Sequence, residues 1–333
     1  MALTLTTAGA ARFTAALKLP AANDGAPVGA AAVRMATTSG CAPLGARVIH
    51  CGLSVPTTNS TASATVTACE NTSQSLRTGV GWPVMVLRDE LQSHLQQLLG
   101  VDRFRDYGPN GLQVEGRAQV RRLVSGVTAN LQLIEAAVHE RADAILVHHG
   151  LFWRGQDGRI TGWLRSRVAL LLAHDINLFA YHLPLDDHAE HGNNAQFGAR
   201  LGLTADARVG EQNLGFAGTA GALTSLDALS EAAARVCERA PTVVPGDGRS
   251  LRRIGWCTGG AQDYFEAAIA AGVDAYVTGE ISEPQPHIAR ETGVAFIACG
   301  HHATERFGAP ALAQHLASVF DLEHCFVDIP NPA

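Results

Sequence analysis

The chain has no Cys-x-x-Cys pair, no Gly-x-x-x-x-Gly-Lys-Ser/Thr phosphate loop, and no apolar run near the roughly 20 residues a membrane helix needs. Its seven cysteines (Cys41, Cys51, Cys69, Cys237, Cys257, Cys299 and Cys325) are scattered and odd in number. That argues against both a disulfide framework and a thiolate zinc site, and predicts inert thiols in a reducing compartment. An excess of positive charge is also lacking. With 25 basic and 31 acidic residues the net charge is -6, which argues against nucleic-acid binding driven by overall charge. These absences leave a soluble cytoplasmic protein, and 333 residues give room for two domains and a sizeable core.

Acid is scarce in one part of the chain above all. Residues 1–85 are rich in Ala and Thr and carry only Asp24 and Glu70 as acids. Their apolar positions keep no period, and small residues cannot fill a core, so little fixed structure is expected there. A reading frame begun too far upstream fits this stretch, because Met85 stands immediately before the first convincing amphipathic helix. An organelle transit peptide, with Arg12, Lys18, Arg34 and Arg47, is the alternative.

From Met85 onward the pattern is alternating α/β. "LRDELQSHLQQLLG" spaces leucines at helical intervals and stops at Gly100, "RLVSGVT" reads as a strand, and "NLQLIEAAVHERA" reads as a helix. "DAILVHHG" is a buried strand with a polar end, and "INLFAYH" follows after the helix "WLRSRVALLLAHD". Units of this length predict a largely parallel sheet. There is also an internal echo. "EAAVHERADAILVHHG" at 135–150 aligns without gaps on "EAAIAAGVDAYVTGE" at 266–280, and each leads to another helix and strand. The second strand of the first copy ends in His182-x-x-x-Asp186, and that of the second in His301-x-x-x-Glu305.

Histidine is plentiful where the strands end. His148 and His149 end one strand, His182 ends another, and His301 with His302 follows "AFIAC". In open α/β sheets ligands bind at the carboxyl ends of strands. Imidazole nitrogens with carboxylate oxygens suit Zn, Fe, Mn or Co, and five or more such groups in one crevice exceed what one four-coordinate ion needs. If Glu305 opens the helix "APALAQHLASVF", it stands one turn from His301, placed to bridge two cations. Each piece has a plainer reading: a core histidine, an acid at a helix start, or, for Asp186 and Asp187 in "PLDDH", a turn. Asn193 or Asn194 reads as a helix cap, and Asn110 and Gln113 read either as turn and strand residues or as the mouth of the site. Arg103, Arg105, Arg117, Arg121 and Arg122 form the nearest thing to a basic cluster, and read as a solvated face.

In this order, "DYGPNGLQVEG", "GVTAN", "DAILVHHGLFWRG", "AYHLPLDDH", "GNNAQFGARLG", "DAYVTGE" and "GHHATERFG" resemble the family of GTP cyclohydrolase 1 type 2 homologues, dinuclear-metal, NGG-interacting-factor-like proteins. The resemblance covers roughly residues 86 to 333. It implies two interlocked α/β units: residues 86–210 with 311–333, and an inserted unit at 211–310. It also implies two divalent metal ions (Zn, Fe, Mn or Co) held by His148, His149, Asp186, His301 and Glu305, with His182 and His302 as extra ligands, outer partners or proton shuttles. A toroidal homohexamer with the metal sites inside is implied too. The expected activity is metal-dependent hydrolysis. Two cations about 3.5–4 Å apart would acidify a shared water, which on GTP would attack C8 of the purine and release formate. A phosphoester substrate is the alternative within the same chemistry. A ring-shaped scaffold holding metal or single-stranded nucleic acid is the alternative outside it.

Overall fold

The computed structural model describes residues 85–333, so the expectations for the N-terminal stretch fall, apart from Met85, outside the described residues. β1 (Val86–Leu87) leads into α1 (Arg88–Leu99), which buries Leu91, Leu95 and Leu99 at the expected helical spacing. β2 (Gly111–Val114), β3 (Gln119–Val120) and β4 (Arg122–Thr128) follow, then α2 (Leu131–His139), β5 (Ala144–His149), α3 (Gly162–Ala173) and β6 (Asn177–Ala180). A short α4 (Leu183–Asp187) and α5 (Asn193–Leu201) lead to β7 (Thr204–Val209), β8 (Gly215–Thr219), α6 (Leu226–Cys237) and β9 (Thr242–Val244). Then come β10 (Arg253–Trp256), α7 (Phe265–Ala270), β11 (Ala275–Thr278), α8 (Pro284–Thr292) and β12 (Ala295–Ala298). α9 (His301–Thr304), α10 (Gly308–Phe320) and β13 (Glu323–Phe326) close the chain.

Two main sheets result. The first has the order β13-β4-β5-β6-β2, parallel except for β2 at its edge. The second has the order β7-β8-β10-β11-β12-β9. Its centre, β10-β11-β12, is parallel, but β8, β7 and β9 join antiparallel, so it is a mixed sheet. The short link from β7 to β8 makes a hairpin, whereas the crossovers through α7 and α8 make β10, β11 and β12 parallel neighbours. α10 and β13 pack on the first sheet, and β7 already belongs to the second.

Both sheets are covered on both faces, which is why their strands read as continuous apolar runs. In the first, Ile145 and Val147 pack with Leu133, Ile134 and Leu171 of α2 and α3, while Ala144 and Leu146 pack with Leu91, Leu95, Leu312 and Leu316 of α1 and α10. In the second, Trp256, Val277 and Ile297 face Phe197, Leu229 and Ala233, and Tyr276 and Phe296 face Phe265, Ala268 and Ala289.

The internal echo is a structural one. Asp143 accepts hydrogen bonds from the backbone amides of Arg121 and Arg122, both at 2.9 Å, and so pins the start of β4 to the α2–β5 turn. Asp274 does the same for Arg252 and Arg253, at 2.8 and 3.1 Å. The Asp-Ala of each copy is therefore a register pin, a charge-assisted bond to a strand start. Four of the five arginines that read as a basic cluster are engaged in ion pairs: Arg117 with Asp143, Arg121 and Arg122 with Glu323, Arg103 with Asp187. No helix among the described residues is long and apolar enough to cross a membrane, and Cys237, Cys257, Cys299 and Cys325 are buried with no disulfide among the described residues.

One strand contact carries a pH prediction. His324 on β13 meets the Ser125 hydroxyl of β4 at 2.8 Å, and burial lowers its pKa from 6.5 to about 4. The folded protein thus keeps it neutral, while the unfolded chain takes up a proton below pH 6.5. Its contribution is complete above that value and is lost as pH falls toward 4, to a total of roughly 3 kcal/mol. Urea unfolding of the unchanged protein and of His324→Gln at pH 7.5, 6 and 4.5 should show their stability difference shrinking with acid. A difference constant with pH would overturn this account.

Candidate metal centre

The carboxyl ends of the parallel strands of both sheets meet in one crevice. β5 ends in His148 and His149, whose ring centroids lie 4.6 Å apart although the pleat sends successive side chains to opposite faces. His182, just past β6, caps α4 and brings its ring within 5.0 Å of His148 and 5.6 Å of His149. Asp186 sits on α4, buried among Leu183, Pro184 and Leu185. From the second sheet come His301, at the start of α9, and Glu305, which is 2% exposed. Glu305 does not open the long helix, as expected from sequence. It ends the four-residue α9, and α10 begins only at Gly308.

Glu305 lies between two groups of ligand-type atoms. One oxygen stands 3.4 Å from His148 Nε2, which is in turn 3.5 Å from Asp186. The other stands 3.3 Å from His149 Nε2 and 3.1 Å from His301 Nε2. Three triads could each hold a metal ion: His148, Asp186 and Glu305; His149, His301 and Glu305; and His148, His149 and His182. His302 is not brought in. Its Nε2 meets Asp328 at 3.0 Å.

Each crevice imidazole is oriented by a partner on its far nitrogen, as ligating histidines generally are. His148 Nδ1 donates to the Tyr181 carbonyl at 3.0 Å, and His149 Nδ1 meets the Thr128 hydroxyl at 3.1 Å. His182 Nδ1 meets Asp106 at 2.7 Å, and His301 Nδ1 meets Glu280 at 2.6 Å. The near nitrogens are left facing one another, and His148 Nε2 and one Glu305 oxygen are buried with no hydrogen-bond partner. Buried polar atoms left in that condition are costly unless something else satisfies them, and a cation does so for both at once.

The electrostatics agree. Burial opposes charge on His148, yet Asp186 and Glu305 beside it raise its pKa to about 9. His301 is likewise opposed by burial but raised to about 9 by Glu305 and Glu280. Burial takes His149 down to about 3, and burial lifts Asp186 above the usual carboxylate range. For Glu305 burial works against ionisation, but His149 and His148 hold it ionised, well below the usual range. Without metal, then, protons on His148 and His301 balance the buried carboxylates, and a cation entering at neutral pH must displace them. Calorimetric titration with Zn²⁺ at pH 7.5 in two buffers of different ionisation enthalpy should report about two protons released per chain. Equal heats in both buffers would show that these protons are not there.

Sequence reasoning missed several of the residues that arrange this crevice. Asp106 orients His182 and also accepts from the Leu183 amide and from Asn110. Glu280 had a usable signal, because the gapless echo places it opposite His149. Asn193 and Asn194 are not caps. Gly192 is the N-cap of α5, and the two buried amides instead donate to the Asp186 carboxylate, at 2.9 Å, and to its carbonyl, at 3.2 Å. Asn193 also takes the Gly308 amide, so it ties Asp186 to the start of α10. Asn110 accepts from the His182 amide, and Gln113 accepts from the Leu151 amide behind the His148–His149 strand.

An α/β protein with duplicated sheets, and with imidazoles and carboxylates gathered where their strands end, is the class this fold and crevice define. The chain belongs to the Duf34/NIF3 (NGG1p interacting factor 3) family, whose profile matches residues 86–332. A relative from Neisseria meningitidis serogroup A, named GTP cyclohydrolase 1 type 2 homolog, is 50% identical over 249 residues, 75% of this chain and 100% of the relative. Among solved structures, protein ybgI, described as of unknown function, matches with a TM-score of 0.71 at 43% identity, over 74% of this chain and 100% of its own. TTHA1606 from Thermus thermophilus matches with a TM-score of 0.67 at 33% identity, covering 74% of this chain and 100% of its own.

Proposed function

We propose that this protein is a cytoplasmic, dinuclear metal-dependent hydrolase that opens the purine ring of a nucleotide such as GTP with release of formate. The observation that carries the proposal is Glu305, whose two oxygens each face a separate triad, His148 with Asp186 and His149 with His301. A pair of divalent cations bound there supplies Lewis-acid polarisation and acidifies water at neutral pH. The chain's own part is to hold charge and move protons. Asp186 and Glu305 provide buried negative charge, and Asn193 keeps Asp186 in place. His182, held by Asp106 at 2.7 Å, presents an imidazole to the crevice as the proton carrier. The crevice opens into a cavity of about 320 Å³ lined by Tyr107, Leu183 and Tyr264 with His182, His301 and Glu305. A second cavity, of about 330 Å³, runs past His149 to Trp153, Trp163 and Arg167. Aromatic walls and one arginine suit a base and its phosphates. The name shared by the curated relatives supports the same substrate class. Assembly as a homohexamer belongs to the proposal, and light scattering tests it.

The deciding experiment is metal analysis of the purified protein with formate detection on incubation with GTP. About two divalent ions per chain, with formate production abolished by chelation and restored by metal, is the expected result. Two ions without formate would remove GTP as substrate, and near-zero metal after supplementation would remove the centre.

A further inference from the structure

The chain has no lysine after residue 85, so arginine alone supplies permanent positive charge to the described residues. Arg88, Arg122, Arg253 and Arg306, which are also not exposed, each form an ion pair. Arg167 on α3 is the exception. It is half-buried, and its side chain has neither a hydrogen bond nor an ion pair among the described residues. Burial lowers its pKa, and no neighbouring carboxylate opposes the effect. Its one contact of note is stacking: the guanidinium carbon stands 4.6 Å from the centre of the Trp163 ring, four residues earlier on the same helix. Stacking on an aromatic face fixes the guanidinium plane and leaves its N–H edge available to a ligand.

Two cavities meet at this residue. The one of about 330 Å³ runs from His149 and His301 to Trp153, Trp163 and Arg167. The other, of about 210 Å³, is bordered by Arg167 with Thr128, Asn130 and Asn331. Ala333 also borders the first, but its carbonyl accepts from the His302 amide at 3.2 Å and from Arg239 at 3.3 Å, not from Arg167. The cavity of about 320 Å³ that also reaches His301 has the opposite character. Asp186, Glu211, Asp263 and Glu305 border it, and no arginine does.

Resting on the nucleotide reading above, we propose that Arg167, stacked on Trp163, is the anchor for the phosphate chain of that substrate, so that the nucleotide lies with its phosphates in the Arg167 cavity and its base toward the metal centre. An arginine fork matches phosphate oxygens in pairs, which fixes direction as well as adding affinity. A half-buried guanidinium without a partner has already lost part of its hydration, so an entering phosphate gains more from it than from an exposed arginine. The carboxylates of the opposite cavity repel the same group, so attraction and repulsion choose one orientation. Arg167 is a positioning residue: it sets which end of the nucleotide reaches His149 and His301, and takes no part in opening the ring.

The test is calorimetric titration of GTP and of guanosine into the full chain after chelator treatment, so that neither turnover nor metal–phosphate bonds contribute. The unchanged protein should bind GTP more tightly than guanosine. Arg167→Gln should weaken GTP by about 10- to 100-fold, the worth of a hydrogen-bonded contact to a charged group, and leave guanosine as it was. Arg167→Lys keeps the charge but not the fork, and should fall between. Arg165→Gln removes the same charge from an exposed position of the same helix, and should bind GTP as the unchanged protein does. Unaltered guanosine affinity and melting temperature show that a variant folds. No preference for GTP in the unchanged protein, equal GTP affinity in Arg167→Gln, or an equal loss in Arg165→Gln would overturn the anchor. The reading beneath it fails separately: absence of formate, with the Arg167-dependent preference intact, removes ring opening and leaves the phosphate site standing.

Discussion

Glu305→Gln is expected to cost the crevice metal at both triads, whereas a substitution of any other residue of those two triads touches one. Its two oxygens serve different partners, His148 on one side and His149 with His301 on the other, at 3.1 to 3.4 Å. Glutamine keeps the volume of this 2% exposed side chain, so the packing around it survives. What changes is chemistry: one oxygen becomes an amide that donates where a ligand must accept, and the buried negative charge is gone. Loss of an outer hydrogen-bond partner of a ligand typically costs 10- to 100-fold in affinity or activity. Loss of a shared ligand should exceed that, lowering turnover by more than about 100-fold. Metal analysis separates the cases: Asp186→Asn and His301→Gln should each lose about one ion per chain, and Glu305→Gln about two. In the metal-free protein the same change should bring the His301 pKa down from about 9, because Glu305 supplies the largest favourable contribution to its proton. Full metal content and near-normal turnover in Glu305→Gln would remove the shared-carboxylate account.

The ligand-type residues were legible because each interrupts a pattern. "AILVHH" is an apolar run with no reason to end in two imidazoles, and the echo showed two such ends. The partners that orient them break no local pattern. Asp106 and His182 are 76 residues apart, and Asp328 follows His302 by 26, so only the fold makes them neighbours. Asn193 and Asn194 misled for a definite reason: an asparagine at a helix start looks like a cap, and nothing local says that its amide turns inward to Asp186. The echo itself was legible to within one residue. The sheet registers pair Ala144 with Asn177 and Ala275 with Ala295, so His182 corresponds to Gly300 and His301 stands one position later. The edge strands of the second sheet escaped because β7 is mostly exposed and lacks clean alternation.

Gly259, in "CTGG", is the largest effect that sequence gave no hint of. Its φ is +70°, and a Cβ there would stand 2.0 Å from one Glu305 oxygen and 3.3 Å from His301 Nε2. The backbone cannot retreat easily. Its amide donates to Thr304 Oγ1 at 2.9 Å, and its carbonyl accepts from the Gly279 amide at 2.9 Å and from Thr278 Oγ1 at 3.2 Å. A methyl at this position must therefore push the carboxylate out from between the triads. Gly259→Ala is expected to lose metal and turnover almost as fully as Glu305→Gln, although no ligand atom is removed. Backbone strain is a separate effect, and Gly272→Ala isolates it: φ there is +77° with open space around the missing Cβ, so only the left-handed conformation is penalised, by about 1 kcal/mol. Gly272→Ala should melt slightly earlier and keep its metal. Gly259→Ala should melt earlier still and, after loading with Zn²⁺ and desalting, come out nearly empty at the crevice. If the two alanine variants behave alike, Glu305 has room to move, and its place between the two triads is not enforced by the fold.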